Sequence, residues 1–247
     1  MDRVLYLASA AGRQVMAAQA VNANNLANAS TVGFRQDLAF ADSLALYGPG
    51  HPSRVYSQTE GMGADFSSGS LMTTGRDLDV AIRGEGWFAV QGVDGEEGYT
   101  RAGDLHVNAT GLLTTAAGHP VVGNNGGPIT LPPFDKIEIG GDGTITVLPQ
   151  GQAASTLVVI DRLKMVKPPL DNLYKGDDGL FRTRDGEPAI ADGAVRLASG
   201  TLESSNVNAV AAMVKMMELA RKFELQIKVI EDARSNDNAS ARLLQMS

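Results

Sequence analysis

A chain of 247 residues with a net charge of −7 and a pI near 5.0 has no cluster of Lys and Arg to meet a phosphate backbone, which excludes nucleic acid as a partner. No cysteine occurs, so disulfides, thiolate metal sites and a Cys nucleophile are excluded too. Aromatics make up only 5% of residues against 28 glycines and 10 prolines, so the core must be largely aliphatic and the chain must turn often.

The first stretch, MDRVLYLASAAGR, lacks an apolar run followed by a small-residue cleavage site, and no cleaved secretory signal is expected. Val4, Ala8, Ala11, Val15 and Ala18 recur at spacings of four and three, which predicts a helix over 1–32 that packs along a partner. Residues 14–34 are uncharged, but Gln14, Gln19, Asn22, Asn24, Asn25 and Asn28 interrupt them, so a membrane span is not expected. NNLANASTVGF, residues 24–34, reads as the end of that helix. Its Asn, Ser and Thr side chains compete with the helical ladder, and Gly33 can take a positive φ. Residues 33–75 then lack a sustained apolar rhythm and read as an extended arm with at most short strands, disordered in an isolated monomer.

From residue 76 to 200 the period changes to two. LDVAI at 78–82 alternates, and WFAVQGVDGEEGYTR reads as two strands joined by a loop. KIEIGGDGTITVL at 136–148 predicts a hairpin with Ile137 and Ile139 opposite Ile145 and Val147. STLVVIDRLKMV at 155–166 reads as one long, partly buried strand. No amphipathic helix pattern interrupts these strands, so βαβ units are not expected and the domain is read as antiparallel.

Residues 201–247 return to a helical period. Ala209, Met213, Met216, Ala220, Phe223, Ile227, Ile230, Arg234, Asp237, Ala241 and Leu244 step by four and three, with Ser204, Ser205 and Asn206 as the expected N-cap. Val207, Val210, Val214 and Met217 form a second apolar stripe on an adjoining face. Two stripes suggest contacts with more than one helix, although periodicity reports burial and not the identity of the partner.

Residues suited to catalysis are scarce. His51, His106 and His119 lie in no spaced ligand pattern, and His51 reads as a loop residue between glycine and prolines. Asp77 and Asp79 share a strand face and read as solvated. Gly84 and Gly86 in RGEGWF lack the third glycine and the helix of a dinucleotide fingerprint, so a tight turn accounts for them. Asp177, Asp178 and Gly179 read as a turn, since the other oxygen ligands of a calcium loop are missing. No catalytic residue, cofactor, metal or small-molecule substrate is expected, and the chain is not read as an enzyme.

Taken together, the two ends resemble the flagellar rod and hook protein family. The resemblance rests on NNLANASTVGF at 24–34, on LESSNV at 202–207, on Met213, Met216 and Met217, and on RKFELQIKVI at 221–230. LDVAIRGEGWFAV at 78–90 and YTRAG at 99–103 extend it through the middle. GEGWFAVQ, EGYTRAG, GDDGLFR and the ending LLQMS are nearer to proximal-rod members than to distal-rod members, which remain the alternative within the family. The implied fold is mainly β with α-helical termini, an antiparallel β domain carried on paired, coiled-coil-like N- and C-terminal helices. The implied divisions are 1–32 and 201–247 for the inner helical domain, 33–75 for the arm and 76–200 for the β domain.

The implied role is a structural subunit of the basal-body rod that assembles helically as a torque-transmitting shaft across the periplasm. Implied partners are copies of itself, other rod proteins and the flagellum-specific type III export apparatus. The resemblance places the assembly interface at Val4, Ala8, Ala11, Val15, Ala18, Asn25, Leu26, Asn28, Gly33 and Phe34. From the C-terminal helix it adds Val210, Met213, Val214, Met216, Met217, Ala220, Phe223, Ile227, Ile230 and Leu244. A β-rich secreted adhesin or binding module would explain the middle of the chain but not the heptad-like ends, and a carbohydrate-active enzyme would require a carboxylate pair that no motif displays.

Overall fold

Asp-Gly steps punctuate the middle of the chain, and five of them close in the same way. The carboxylates of Asp94, Asp142, Asp178, Asp185 and Asp192 accept the amide N–H two residues on, at 2.8–3.2 Å. Such Asx turns reverse the chain locally and leave the flanking alternation free to pair as strands. The result, in a computed structural model, is described for residues 2–45, 55–152 and 156–245, and side chains for 5–39, 63–152 and 156–239. His51 and its loop lie outside the described residues.

The chain divides into two compact units. One comprises Met1–Asn28, Asp37–Asp65 and Val207–Ser247, the other Ala29–Gln36 and Phe66–Asn206. The first unit contains helix α1 (Asp2–Ala27), strands β1 (Asp37–Ala45) and β2 (Val55–Ala64), and helix α2 (Ala209–Gln245). β1 and β2 pair antiparallel over almost their full length, with a bulge between Ala39 and Ala41. This corrects the expectation of at most short strands in the arm. Its Ala, Gly, Ser and Asp residues have weak strand preference and no clean alternation, so the pairing was not visible locally.

α1 and α2 pack on one another. In α1 the buried positions are Ala8, Gly12, Val21, Asn22 and Asn25, with Val15 and Ala18 half-buried. In α2 the seam runs through Ala212, Met216, Leu219, Phe223, Gln226, Ile230 and Ala233, of which Ala212 and Leu219 are the most buried. The stripe read from sequence shares Met216, Phe223 and Ile230 with this seam but is one residue too far along at the alternate steps. The small side chain of Ala212 explains the shift. It allows the close approach in which the Asn22 amide donates to the Ala212 carbonyl at 2.8 Å. The N-cap also moves: the Asn208 side chain, not residues 204–206, accepts the Ala211 N–H at 3.0 Å.

The second unit is built from short antiparallel strands. In chain order these are β3 (Leu71–Thr73), β4 (Val80–Arg83), β5 (Trp87–Gln91), β6 (Glu97–Thr100), β7 (Leu105–Val107), β8 (Leu113–Thr115) and β9 (Phe134–Ile139). They continue with β10 (Thr144–Pro149), β11 (Val158–Arg162), β12 (Met165–Val166), β13 (Leu173–Lys175), β14 (Phe181–Thr183), β15 (Arg196–Ser199) and β16 (Thr201–Glu203). A five-stranded sheet runs β12-β5-β6-β14-β13 and a three-stranded one β11-β10-β9, with pairs β15-β4, β16-β3 and β7-β8 beside them. The chain is thus mainly antiparallel β with a helix at either end, as the sequence implied.

The β9–β10 register places Ile139 opposite Ile145 and Ile137 opposite Val147, as predicted. The single long strand expected at 155–166 is instead two, β11 and β12, which belong to different sheets. Leu163 turns the chain between them, its N–H donating to the Gly143 carbonyl at 2.9 Å. The core gathers Ile82, Phe88, Val90, Leu113, Ile139, Ile145 and Leu163, each nearly inaccessible. Burying each such side chain contributes about 1.5–3 kcal/mol. Asp79 corrects another expectation: it is buried, accepting from Thr74 Oγ1 at 2.7 Å and pairing with Arg76 at 2.6 Å.

Candidate functional site

Two features stand out, a helical surface in the first unit and a buried charged cluster in the second. On α2 the spacing 210, 213, 214, 217 repeats at three and four, which puts four apolar side chains on one helix face. Val210 is 71% exposed, Met213 52%, Val214 47% and Met217 57%. They lie about 100–200° round the helix from the seam, on the far side of α2, so packing on α1 does not cover them. Ile227 and Leu225 are exposed further along, as are Tyr6, Leu7 and Met16 on α1.

Other expected interface residues are placed differently. Ala8, Asn25 and Gly33 are buried within the chain, while Ala11, Val15, Ala18, Leu26, Asn28, Phe34, Met216, Ala220, Phe223 and Ile230 are half-buried. The side chains of Val4 and Leu244 lie outside the described residues.

NNLANASTVGF is held at Asn25, Asn28 and Gly33. Asn28 ends α1 by directing its N–H and its side-chain amide onto the Asn24 carbonyl at 3.1 and 3.0 Å. Asn25 exchanges two hydrogen bonds with the backbone of Asp37, at 2.7 and 2.8 Å, and so anchors the start of β1. In the β unit, Gly33 takes φ +66° against the backbone of Arg101 and Ala102 and donates to the Glu203 carbonyl at 2.8 Å. A side chain at Gly33 would run into that backbone.

Next to Gly33 stands the cluster that sequence reasoning missed. Arg35 and Glu203 are almost wholly buried and pair at 2.7 Å, and Glu203 pairs with the buried Arg101 at 3.0 Å. Arg101 also donates to the Gly84 carbonyl at 2.6 Å, which gives the RGEGWF turn its role. Both guanidinium groups face the Trp87 ring, at 5.8 and 5.4 Å from its centroid, and Phe66 and Phe181 pack on that ring. One carboxylate between two cations leaves an excess positive charge, which the π-face of Trp87 partly balances. Burial pulls the Arg101 guanidinium below its usual value and Glu203 opposes that shift, so it remains a cation. Three motifs, GFR, YTRAG and LESSN, each contribute one charge. The available signal was the presence of single charges inside otherwise apolar or small-residue motifs, since buried charges require partners.

Elsewhere, Asp94, Asp178 and Arg182 line a shallow cavity, but Arg182 binds both carboxylates, at 2.9 and 2.7 Å. The hydrogen bonds from Arg182 hold the Asp178 carboxyl below its ordinary range. Among the described residues no group of three His, Cys, Asp or Glu side chains is placed to hold a metal ion. No described helix is long and apolar enough to cross a membrane.

Comparison with known proteins places each half of this arrangement in the same family. Residues 5–35 match the model of the flagella basal body rod protein, residues 81–147 the flagellar hook protein FlgE/F/G D1 domain, and residues 198–243 the flagellar basal body rod FlgEFG protein C-terminal model. Arg35, Arg101 and Glu203 therefore fall one in each matched segment. Over its whole length the chain is 45% identical to all of the flagellar basal-body rod protein FlgF of Escherichia coli (strain K12). It is 44% identical to all of the protein of that name from Salmonella typhimurium, and 31% to that from Buchnera aphidicola subsp. Schizaphis graminum, again over both whole chains. The chain belongs to the flagellar basal-body rod protein family, and these end-to-end relatives carry the name FlgF.

Proposed function

We propose that this rod subunit joins its neighbours through the apolar face that α2 leaves uncovered, assembling helically with copies of itself and with other rod proteins. The exposed stripe Val210, Met213, Val214 and Met217 carries this reading. Four apolar side chains in one row on a helix favour burial against another surface, and the α1 seam leaves this row free. The contact joins different surfaces of successive subunits and therefore propagates instead of closing as a dimer. The shaft so formed is the proximal part of the rod, spanning the periplasm and transmitting torque, and the subunit reaches it through the flagellar export apparatus. The role is mechanical and not catalytic.

The test is the double substitution M213E/M217E. Both side chains are exposed, so the purified chain is expected to keep its helical circular dichroism and its melting temperature. Cells carrying the variant are expected to stop swimming and to yield basal bodies with incomplete rods. Normal swimming by that strain would overturn the reading.

A further inference from the structure

Between α1 and β1, between β2 and β3, and between β16 and α2 the chain passes through the β unit's own residues 29–36, 66–70 and 203–206. Glu203 and Asn206 in the last passage each bond to both of the other two. Glu203 accepts Arg35 and the Gly69 N–H through Oε1, at 2.7 and 3.0 Å, and its main-chain carbonyl accepts the Gly33 N–H at 2.8 Å. Asn206 accepts the Gln36 N–H at 2.8 Å and donates to the Ser67 carbonyl at 3.0 Å. Its own N–H donates to the Phe34 carbonyl at 3.3 Å. Arg35 closes the set by donating to the Ser67 carbonyl at 2.5 Å.

We propose that Glu203 and Asn206 form a clamp that fixes segments 33–36, 66–69 and 203–206 in one register, so that force entering the β unit along one segment is shared by all three. That the force is torque rests on the function proposed above. The chemistry suits the role. A buried carboxylate between guanidinium groups adds little stability over apolar packing of equal volume, but its hydrogen bonds are directional and fix one alignment. Bonds running between neighbouring segments bear a pull on any one of them together. Lys175 supports the first segment independently, donating to the Arg35 carbonyl at 3.1 Å with its ammonium 4.0 Å from the Phe34 ring centroid. Glu203 and Asn206 are thus positioning residues.

Amide hydrogen exchange on the full-length chain tests the clamp. E203Q removes the charge that two guanidinium groups share, and N206A removes the side-chain bonds to Gln36 and Ser67. The Gly69 amide in E203Q, and the Gln36 amide in N206A, are expected to exchange about ten- to a hundredfold faster. Core amides of Val90 and Ile145 should keep their wild-type rates. Unchanged rates at the clamp, or a rise that is uniform through the core, would overturn the proposal. The triple variant R35M/R101M/E203M serves if E203Q does not fold, because it keeps the packing and removes only the directional bonds; fast clamp amides over a protected core support the clamp there too. These rates are read on the isolated chain and do not depend on rod assembly, so they can succeed or fail separately from the swimming of M213E/M217E.

Discussion

Gly33 shows how much a single backbone position can decide. Its φ of +66° is strained for any residue with a Cβ, and the space where that Cβ would stand is filled by the backbone of Arg101 and Ala102. Neither cause can be relieved by a rotamer change. Gly33→Ala is therefore expected to destabilise the β unit by about 2–4 kcal/mol, read from the urea midpoint of the full chain. The sequence identified this glycine as able to take the conformation but could not show what lies against it, because Arg101 is far away in the chain. Tyr99 makes a second point at this scale. Burial pushes its phenol up to about 12, and its oxygen accepts the Ala189 N–H at 2.6 Å. In the unfolded chain the phenol titrates near its ordinary value of about 10. Between those values the folded state retains a proton that the unfolded state has lost, so stability should fall as pH rises from about 10 to 12. In Tyr99→Phe that part of the alkaline loss should disappear, as followed by denaturation at a series of pH values.

At the scale of elements, the start of α2 depends on one side chain. Asn208 accepts the Ala211 N–H, and without it the first turn has an unpaired donor. Asn208→Ala is expected to cost about 1 kcal/mol and to fray the first turn, measured by helical circular dichroism against urea. The polar residues at 204–206 looked like the cap from sequence because caps are chosen by residue type, yet Asn206 is used in the β unit instead. The hairpin β9–β10 was legible for the opposite reason: its isoleucines and valine alternate without interruption and its Gly-Asp-Gly loop is a turn by itself. β11 and β12 looked continuous because alternation does not record a change of sheet. β1 and β2 were illegible because their ladder joins segments whose composition favours no structure, and the bonds from Asn25 that fix the start of β1 come from a helix twelve residues earlier. The charged cluster shared that difficulty on a larger scale, each of its charges being visible in a motif while their meeting point was not.

For the whole molecule the question is which apolar positions serve the chain itself and which are left for a neighbour. Phe223 and Ile227 sit four residues apart on the stripe read from sequence, which made them equivalent. The structure separates them. Phe223 belongs to the half-buried seam with α1, whereas Ile227 is 41% exposed beside it. A charge at Phe223 would have to be desolvated within the chain or would force the two helices apart, so Phe223→Asp should destabilise the isolated protein by about 2 kcal/mol and reduce its helical signal. A charge at Ile227 remains in water in the isolated protein, and Ile227→Asp should cost less than about 1 kcal/mol there. If the rod assembles as proposed, the order of effects should change, because both positions would then face packed surfaces and both variants should swim poorly. Thermal melts of the purified chains and swimming-plate diameters of the two strains give the comparison. If Ile227→Asp swims as the wild type does while Phe223→Asp does not, the exposed face takes no part in assembly near that position, and the interface must be confined to the Val210 to Met217 stripe or lie elsewhere on the molecule.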